Sequence, residues 1–226
     1  MRIATFNIQH GRGADGLVDV DRLARTVADI GADLLVLEEV DVGLARSGRA
    51  DLAAAVARAS GLEMVFGLAH RVGWRGRYGN ALLAAGPITD VDVIKLPRVR
   101  RSERRSAILA MVDVGGGRVA VAATHLAIHP EEAGRQLATV AEALAHRPAP
   151  RVLLGDLNLR SWDVEPRVRA AELELAAGPP TFPAAAPRIR IDHIAVSSHF
   201  TINAVEAPET PVSDHRPLIV DASIRP

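Results

Sequence analysis

Apolar residues along this chain fall into short blocks that stop at glycine, proline or aspartate, the pattern of buried strands. The blocks cover residues 3–8, 34–40, 64–68, 81–84, 91–96, 107–114, 119–126, 151–157, 191–196, 201–205 and 218–222. Gly115-Gly116-Gly117 separates two of them and predicts a hairpin turn. Helical spacing is confined to three segments. Residues 21–30 put Leu23, Val27 and Ile30 on one face, with Gly31 as the stop. Asp51 caps a second segment that carries Leu52 and Val56 and ends at Gly61. Pro130-Glu131-Glu132 opens the third, with Leu137, Val140, Ala141 and Leu144 facing inward. Residues 176–187, rich in Ala and Pro, read as a loop. Many strands, few helices and hairpin turns predict an α/β (α+β) protein of stacked mixed sheets with helices outside. No linker divides the chain, so residues 1–226 read as one domain.

The strand-like blocks carry polar residues where they end. In order these fragments are Thr5-Phe6-Asn7-Ile8, Leu37-Glu38-Glu39-Val40, Tyr78-Gly79-Asn80-Ala81, Thr124-His125-Leu126, Gly155-Asp156-Leu157-Asn158, Ile191-Asp192-His193-Ile194 and Ser213-Asp214-His215. Carboxylates, amides and imidazoles at the ends of core strands are costly unless they are paired or bind a metal. A series of them points to convergence on one site.

That ordered series resembles the endonuclease/exonuclease/phosphatase superfamily of metal-dependent phosphoesterases, over almost the whole chain. The resemblance implies a four-layer sandwich, two facing mixed β-sheets flanked by helices, with the site at one edge. It implies hydrolysis of a phosphoester by direct attack of water with Mg²⁺ or Mn²⁺ as cofactor. A phosphodiester resists attack because its anionic oxygens repel the nucleophile, and a cation with well-placed donors removes that obstacle. Oxygen ligands suit these cations.

By the resemblance, Glu39 is the metal ligand, Asn7 orients a ligand or binds metal through its amide oxygen, and Asp214 is a second carboxylate near the metal. Asp156 positions and activates the water, and Asn158 stabilises the transition state. Asp192 pairs with His215, the central imidazole, which serves as base or as phosphate clamp. His125 donates to a phosphate oxygen, and Tyr78 and Asn80 contact the phosphate. Asp156 and Asn158, two apart, would share a strand face. One position departs from the family pattern: residue 38 is Glu where Gln is usual, and strand alternation turns it away from the Glu39 side. His193, next to Asp192, should likewise face away and be structural. Arg71, Arg75 and Arg77 lead into Tyr78 and would bind substrate, Arg75 and Arg77 foremost. Arg98, Arg100, Arg101, Arg104 and Arg105, like Arg188 and Arg190, could flank the site.

Bulk properties narrow the partners. The formal net charge is +0, against a globally basic nucleic-acid binder but not against a local basic face. Lys95 is the only lysine, so nearly all positive charge is guanidinium. With Cys 0 there is no disulfide, thiol nucleophile or thiolate-bound zinc. No signal peptide or membrane span is legible, and a cytoplasmic protein is expected. The partner expected is a phosphoester, with nucleic acid a candidate, although no long insertion suits a duplex. The Trp-x-Gly-Asp-x-Asn-Tyr pattern of inositol-phosphate 5-phosphatases is absent. A sphingomyelinase-like phospholipase would need an exposed amphipathic or aromatic loop, and none is legible. The expectation is a nuclease or general phosphodiesterase. A phosphatase or phospholipase of the same superfamily is the alternative, and a non-catalytic binding module on this fold is the reading from another class.

Overall fold

A computed structural model of the chain describes residues 1–225. The first half runs β1 (Arg2–Asn7), α1 (Val20–Ile30), β2 (Leu34–Val42), α2 (Leu52–Ser60), β3 (Glu63–Val72), β4 (Gly76–Ala84) and β5 (Ile88–Lys95). The second runs β6 (Ser106–Val114), β7 (Gly117–His125), α3 (Pro130–Ala145), β8 (Arg151–Asp156), α4 (Ser161–Arg169), β9 (Leu173–Leu175), β10 (Asp192–Ser197), β11 (Phe200–Glu206) and β12 (Leu218–Ile224). The strands form two six-stranded sheets, ordered β11-β12-β1-β2-β4-β3 and β5-β6-β7-β8-β10-β9. Parallel pairing occurs at β1–β2 and at β7–β8, and a crossover helix, α1 or α3, makes each connection.

Alternation of side chains sorts the core into three apolar layers. Ile3, Leu34, Val36, Leu82, Val121, Leu154 and Ile194 point between the sheets. Their neighbours Ala4, Leu35 and Leu83 point outward to Leu23, Val27, Leu52 and Val56 of α1 and α2. On the other sheet Ala122, Leu153 and Ala195 meet Leu137, Val140 and Leu144 of α3 and Val164 and Val168 of α4. The result is a four-layer sandwich of two facing mixed sheets flanked by helices. Asp19 and Asp51 cap α1 and α2 by accepting from the N–H of Arg22 and Ala54, at 2.9 and 3.0 Å.

Two local expectations change. A fourth helix, α4, exists although Pro166 lies inside it, and only Val164 and Val168 among its residues are buried. Proline and a thin apolar stripe conceal such a helix from periodicity. Residues 71–77, read as a charged approach to Tyr78, are instead the tip of the β3–β4 hairpin, in which Val72 pairs with Gly76. Trp74 at that tip is 91% exposed, which overturns the expectation of no exposed aromatic loop. No helix among the described residues is long and apolar enough to cross a membrane.

Candidate active site

Each inward-facing row of the inter-sheet core ends, at one edge of the sandwich, in a polar residue of the same parity. Ile3 and Thr5 lead to Asn7, Leu82 leads to Asn80 and Tyr78, and Val121 and Ala123 lead to His125. Val152 and Leu154 lead to Asp156, and Val196 and Ile194 lead to Asp192. Register then aligns them: His125 pairs with Asp156, and Asp156 with Asp192. Period-two geometry thus delivers the ends of five strands to one place.

Asp156 is the hub. Its Oδ2 accepts from the Asn7 amide at 2.9 Å and stands 3.3 Å from His125 Nε2 and 3.8 Å from His215 Nε2. Its Oδ1 accepts the backbone N–H of Asn158 at 3.1 Å. Burial, then the charge of Asp192, raise the Asp156 carboxyl to about 7, against the lowering effect of His215. The tautomer of His125 follows from its other neighbour. Arg105 Nη1 lies 3.2 Å from His125 Nδ1, and a guanidinium only donates, so Nδ1 accepts and Nε2 carries the proton toward Asp156. Burial, then Arg105, hold His125 well below the usual imidazole range.

His215 is set the opposite way. Its Nδ1 donates to Asp192 at 3.0 Å, and the Thr181 hydroxyl donates to the same carboxylate. Burial opposes the imidazolium, but Asp192, Asp156 and Asp214 together outweigh it and raise His215 to about 10. Phe182 packs against the ring at 4.9 Å and helps fix its plane.

Glu39 reaches the site by a device that alternation does not foresee. Glu38 keeps the inward parity of Leu34 and Val36. A register shift between Leu37 and Val40, with Glu39 at φ 57, bulges the strand so that Glu39 turns inward too. Glu38 is therefore not turned away, as alternation alone predicts. It is fully buried beneath the site and accepts from Thr5 Oγ1 at 2.6 Å. Burial, and then the charges of Asp192 and Asp156, push its carboxyl well above the usual range. Glu39 is the contrary case. Burial works against its charge, but His10, His125, Asn7 and Arg105 outweigh burial and lower it to about 2. His10 Nδ1 stands 3.9 Å from Glu39 Oε2, too far for a hydrogen bond but close enough to favour the anion.

Two places could hold a cation. Asp156, Asp192 and His215 offer ligand atoms within 4.8 Å of one another. Those atoms already have protein partners, and the trio is better satisfied as a hydrogen-bonded relay. Glu39 is anionic and partly open, and Asn7 donates to it at 3.2 Å while bridging to Asp156. The amide nitrogen of Asn7 lies between two carboxylates, where positive charge is favoured, and its oxygen accepts from Gln9 N–H. A carboxylate and an amide that can present oxygen suit a hard divalent ion. Asp214 is half-buried, and no hydrogen bond or ion pair among the described residues joins it to Glu39 or Asp156.

The remaining expected residues are distributed unevenly. Tyr78 lies inward, with its hydroxyl 3.5 Å from Arg105. Asn80 is buried and donates to the Ser106 carbonyl at 3.2 Å, tying one sheet to the other. Asn158 is not on the strand with Asp156. β8 ends at Asp156, and Asn158 adopts φ 51, with its amide donating to the Leu126 carbonyl at 3.1 Å. His193 lies on the outer face, bonded to the Leu159 carbonyl at 2.8 Å. Arg77 lies over the ring of Phe66 on the outer side, and Arg75 is exposed in the hairpin tip. Arg105, His10 and Thr181 belong to the neighbourhood without individual notice from sequence. Only the buried one of five clustered arginines could have been picked out, and only from its place at the head of β6.

A model of the endonuclease/exonuclease/phosphatase family matches residues 4–215. Among solved structures, an endonuclease/exonuclease/phosphatase from Beutenbergia cavernae is 24% identical with a TM-score of 0.83, covering 100% of this chain and 72% of its own. The mannosyl-6-phosphatase of Bacteroides thetaiotaomicron is 15% identical, TM-score 0.75, covering 99% of this chain and 100% of its own. TDP2 from Caenorhabditis elegans is 20% identical, TM-score 0.72, covering 97% of this chain and 73% of its own. Among curated proteins no sequence match is found.

Proposed function

The chain belongs to the endonuclease/exonuclease/phosphatase family, and on that premise we propose that it is a divalent-metal-dependent hydrolase of phosphoesters, foremost a nuclease or general phosphodiesterase. The observation that carries the reading is the Asp156 carboxylate, buried among Asn7, His125 and His215 with its proton affinity raised to about 7. A carboxylate poised near neutrality is suited to take a proton from water.

Glu39 and Asn7 would hold Mg²⁺ or Mn²⁺, with Asp214 as the further carboxylate on that side. When bound, the cation supplies charge neutralisation to a phosphate oxygen and polarises phosphorus. Asp156 orients the attacking water and accepts its proton. His215, cationic through Asp192, stabilises the charge that builds on the phosphoryl oxygens, and the Nε2–H of His125 donates to the same group. The free N–H of Asn158 and the hydroxyl of Tyr78 complete the donors. Asn80 acts on the phosphate from behind Tyr78 or through the sheet it braces. Arg75 meets the outer part of the substrate, whereas Arg77 packs over Phe66 on the outer face and does not reach it.

The test is hydrolysis by purified protein with Mg²⁺ or Mn²⁺ against EDTA. Substrates are single-stranded and duplex DNA, RNA, a small aryl phosphodiester and a sugar monophosphate. Metal-dependent cleavage of diesters is expected. Turnover of the sugar monophosphate alone would move the chain toward its phosphatase neighbour, and no turnover with any of them would count against the proposal.

A further inference from the structure

Two concavities adjoin between Glu39 and the β3–β4 hairpin tip. The inner one, about 330 Å³, is lined by Glu39, Arg46, His70, Tyr78 and Glu103, whose carboxylate pairs with Arg105. The outer one, about 570 Å³, is lined by Arg49, Gly73, Trp74 and Arg75. Leu44 and Val72 line both, so the two lie in series as a trough from the Glu39 carboxylate toward the tip of the β3–β4 hairpin, with these side chains between them.

We propose that this trough is a subsite for single-stranded nucleic acid, with Trp74 the stacking surface for a base flanking the scissile phosphate. The proposal rests on the reading of the site as a phosphodiesterase. Trp74 is 91% exposed, so its indole face is free. Trp162, the other tryptophan, instead lies under the guanidinium of Arg160. Arg2, Arg22, Arg46, Arg118 and Arg147 pair with carboxylates, whereas Arg49 and Arg75 have no ion pair among the described residues. Their charge is open to an anion.

The order along the trough is reaction centre, apolar floor, then indole beside guanidinium. A chain that alternates phosphate with planar base matches that order, because stacking is tolerant of base identity and arginine tracks the backbone. Inorganic phosphate would leave the indole unused. A bilayer needs apolar groups on a convex face, whereas here Leu44 and Val72 line a concavity. Bases in a duplex are already stacked and cannot offer a face to Trp74. The walls are firm: a Cβ on Gly76 would stand 2.7 Å from the Val72 carbonyl oxygen and 2.8 Å from Leu44 Cδ2, so hairpin and floor are in close contact.

The experiment compares the full-length protein with Trp74→Ala and Trp74→Phe, all in a Trp162→Phe background. Hydrolysis of a single-stranded oligonucleotide and of a small aryl phosphodiester is followed with Mn²⁺. Binding of oligothymidylate is followed separately by indole fluorescence in EDTA. Trp74→Ala should raise KM for the oligonucleotide about ten-fold or more, the size of one lost stacking contact, with kcat little changed. The aryl diester should be cleaved as by the parent, Trp74→Phe should recover most of the loss, and the oligonucleotide should quench the parent's Trp74 emission. An equal loss on both substrates, unaltered oligonucleotide KM, or no quenching would overturn the subsite. So would a Trp74 blue shift with phospholipid vesicles and none with oligonucleotide, which would assign the trough to lipid. Failure of the parent to cleave either substrate would count against the phosphodiesterase reading, while the quenching arm would still decide the subsite.

Discussion

Asp156 and Asp192 are paired neighbours in adjacent strands, yet they play opposite electrostatic parts because their partners differ. Asp192 accepts hydrogen bonds from the Nδ1–H of His215 and from the Thr181 hydroxyl. Asp156 accepts from Asn7 and from the Asn158 N–H, yet burial first and then the charge of Asp192 raise its carboxyl to about 7. Environment divides two like carboxyls into an orienter and a proton acceptor. Asp156→Asn keeps the shape and the contacts to Asn158 but cannot take a proton. It should lower kcat about 10²–10⁴-fold, with little change in the thermal midpoint, measured by steady-state kinetics alongside circular dichroism. The polar residues of this site were legible in sequence because they interrupt apolar strands. Glu38 was not, because the bulge that lets two successive glutamates face inward leaves no mark in composition. Arg105 and Thr181 were not, because a buried arginine in an arginine-rich loop looks the same in sequence as its exposed neighbours.

Among the elements, β10 shows how one strand serves the site with one face and the fold with the other. Asp192 points inward and His193 outward, where its Nε2–H meets the Leu159 carbonyl at 2.8 Å. Burial lowers His193 to about 4. The unfolded chain therefore takes up a proton from about pH 6.5 downward while the folded chain does not, so stability falls as pH drops from 6.5 to 4 and is unaffected above that window. The span corresponds to at most about 3 kcal/mol at pH 4. His193→Gln, which keeps an N–H for Leu159, should flatten this part of the profile in urea denaturation at pH 7 and pH 4.5. An unaltered slope would show that His193 is not its source. The same scale explains what periodicity caught and missed. Long apolar strands and capped helices declare themselves, whereas α4 carries Pro166 and buries two valines, and β3–β4 crosses a hairpin too rich in Gly and Arg to read as strand.

At the scale of the molecule, two sheets each contribute a parallel β-α-β crossover, β1-α1-β2 and β7-α3-β8, and the site forms where their strand ends meet. The four-layer arrangement was implied by the resemblance of the ordered fragments, and the pattern of strands, helices and turns alone pointed only to stacked mixed sheets. The layered core explains why the site tolerates its charges. Asn7 and Glu39 come from one sheet and His125, Asp156 and Asp192 from the other, and the Asn7 amide donates to the carboxylates of both Glu39 and Asp156. Under the proposed function, Glu39 and Asn7 hold a divalent ion on which hydrolysis depends. The most direct measurement is diester hydrolysis by the wild type and Glu39→Gln as Mg²⁺ is titrated into EDTA-treated protein. We expect no turnover without metal, recovery on titration, and a half-saturating Mg²⁺ concentration at least ten-fold higher for Glu39→Gln. Turnover that persists in EDTA, or identical metal dependence in the two proteins, would contradict the account.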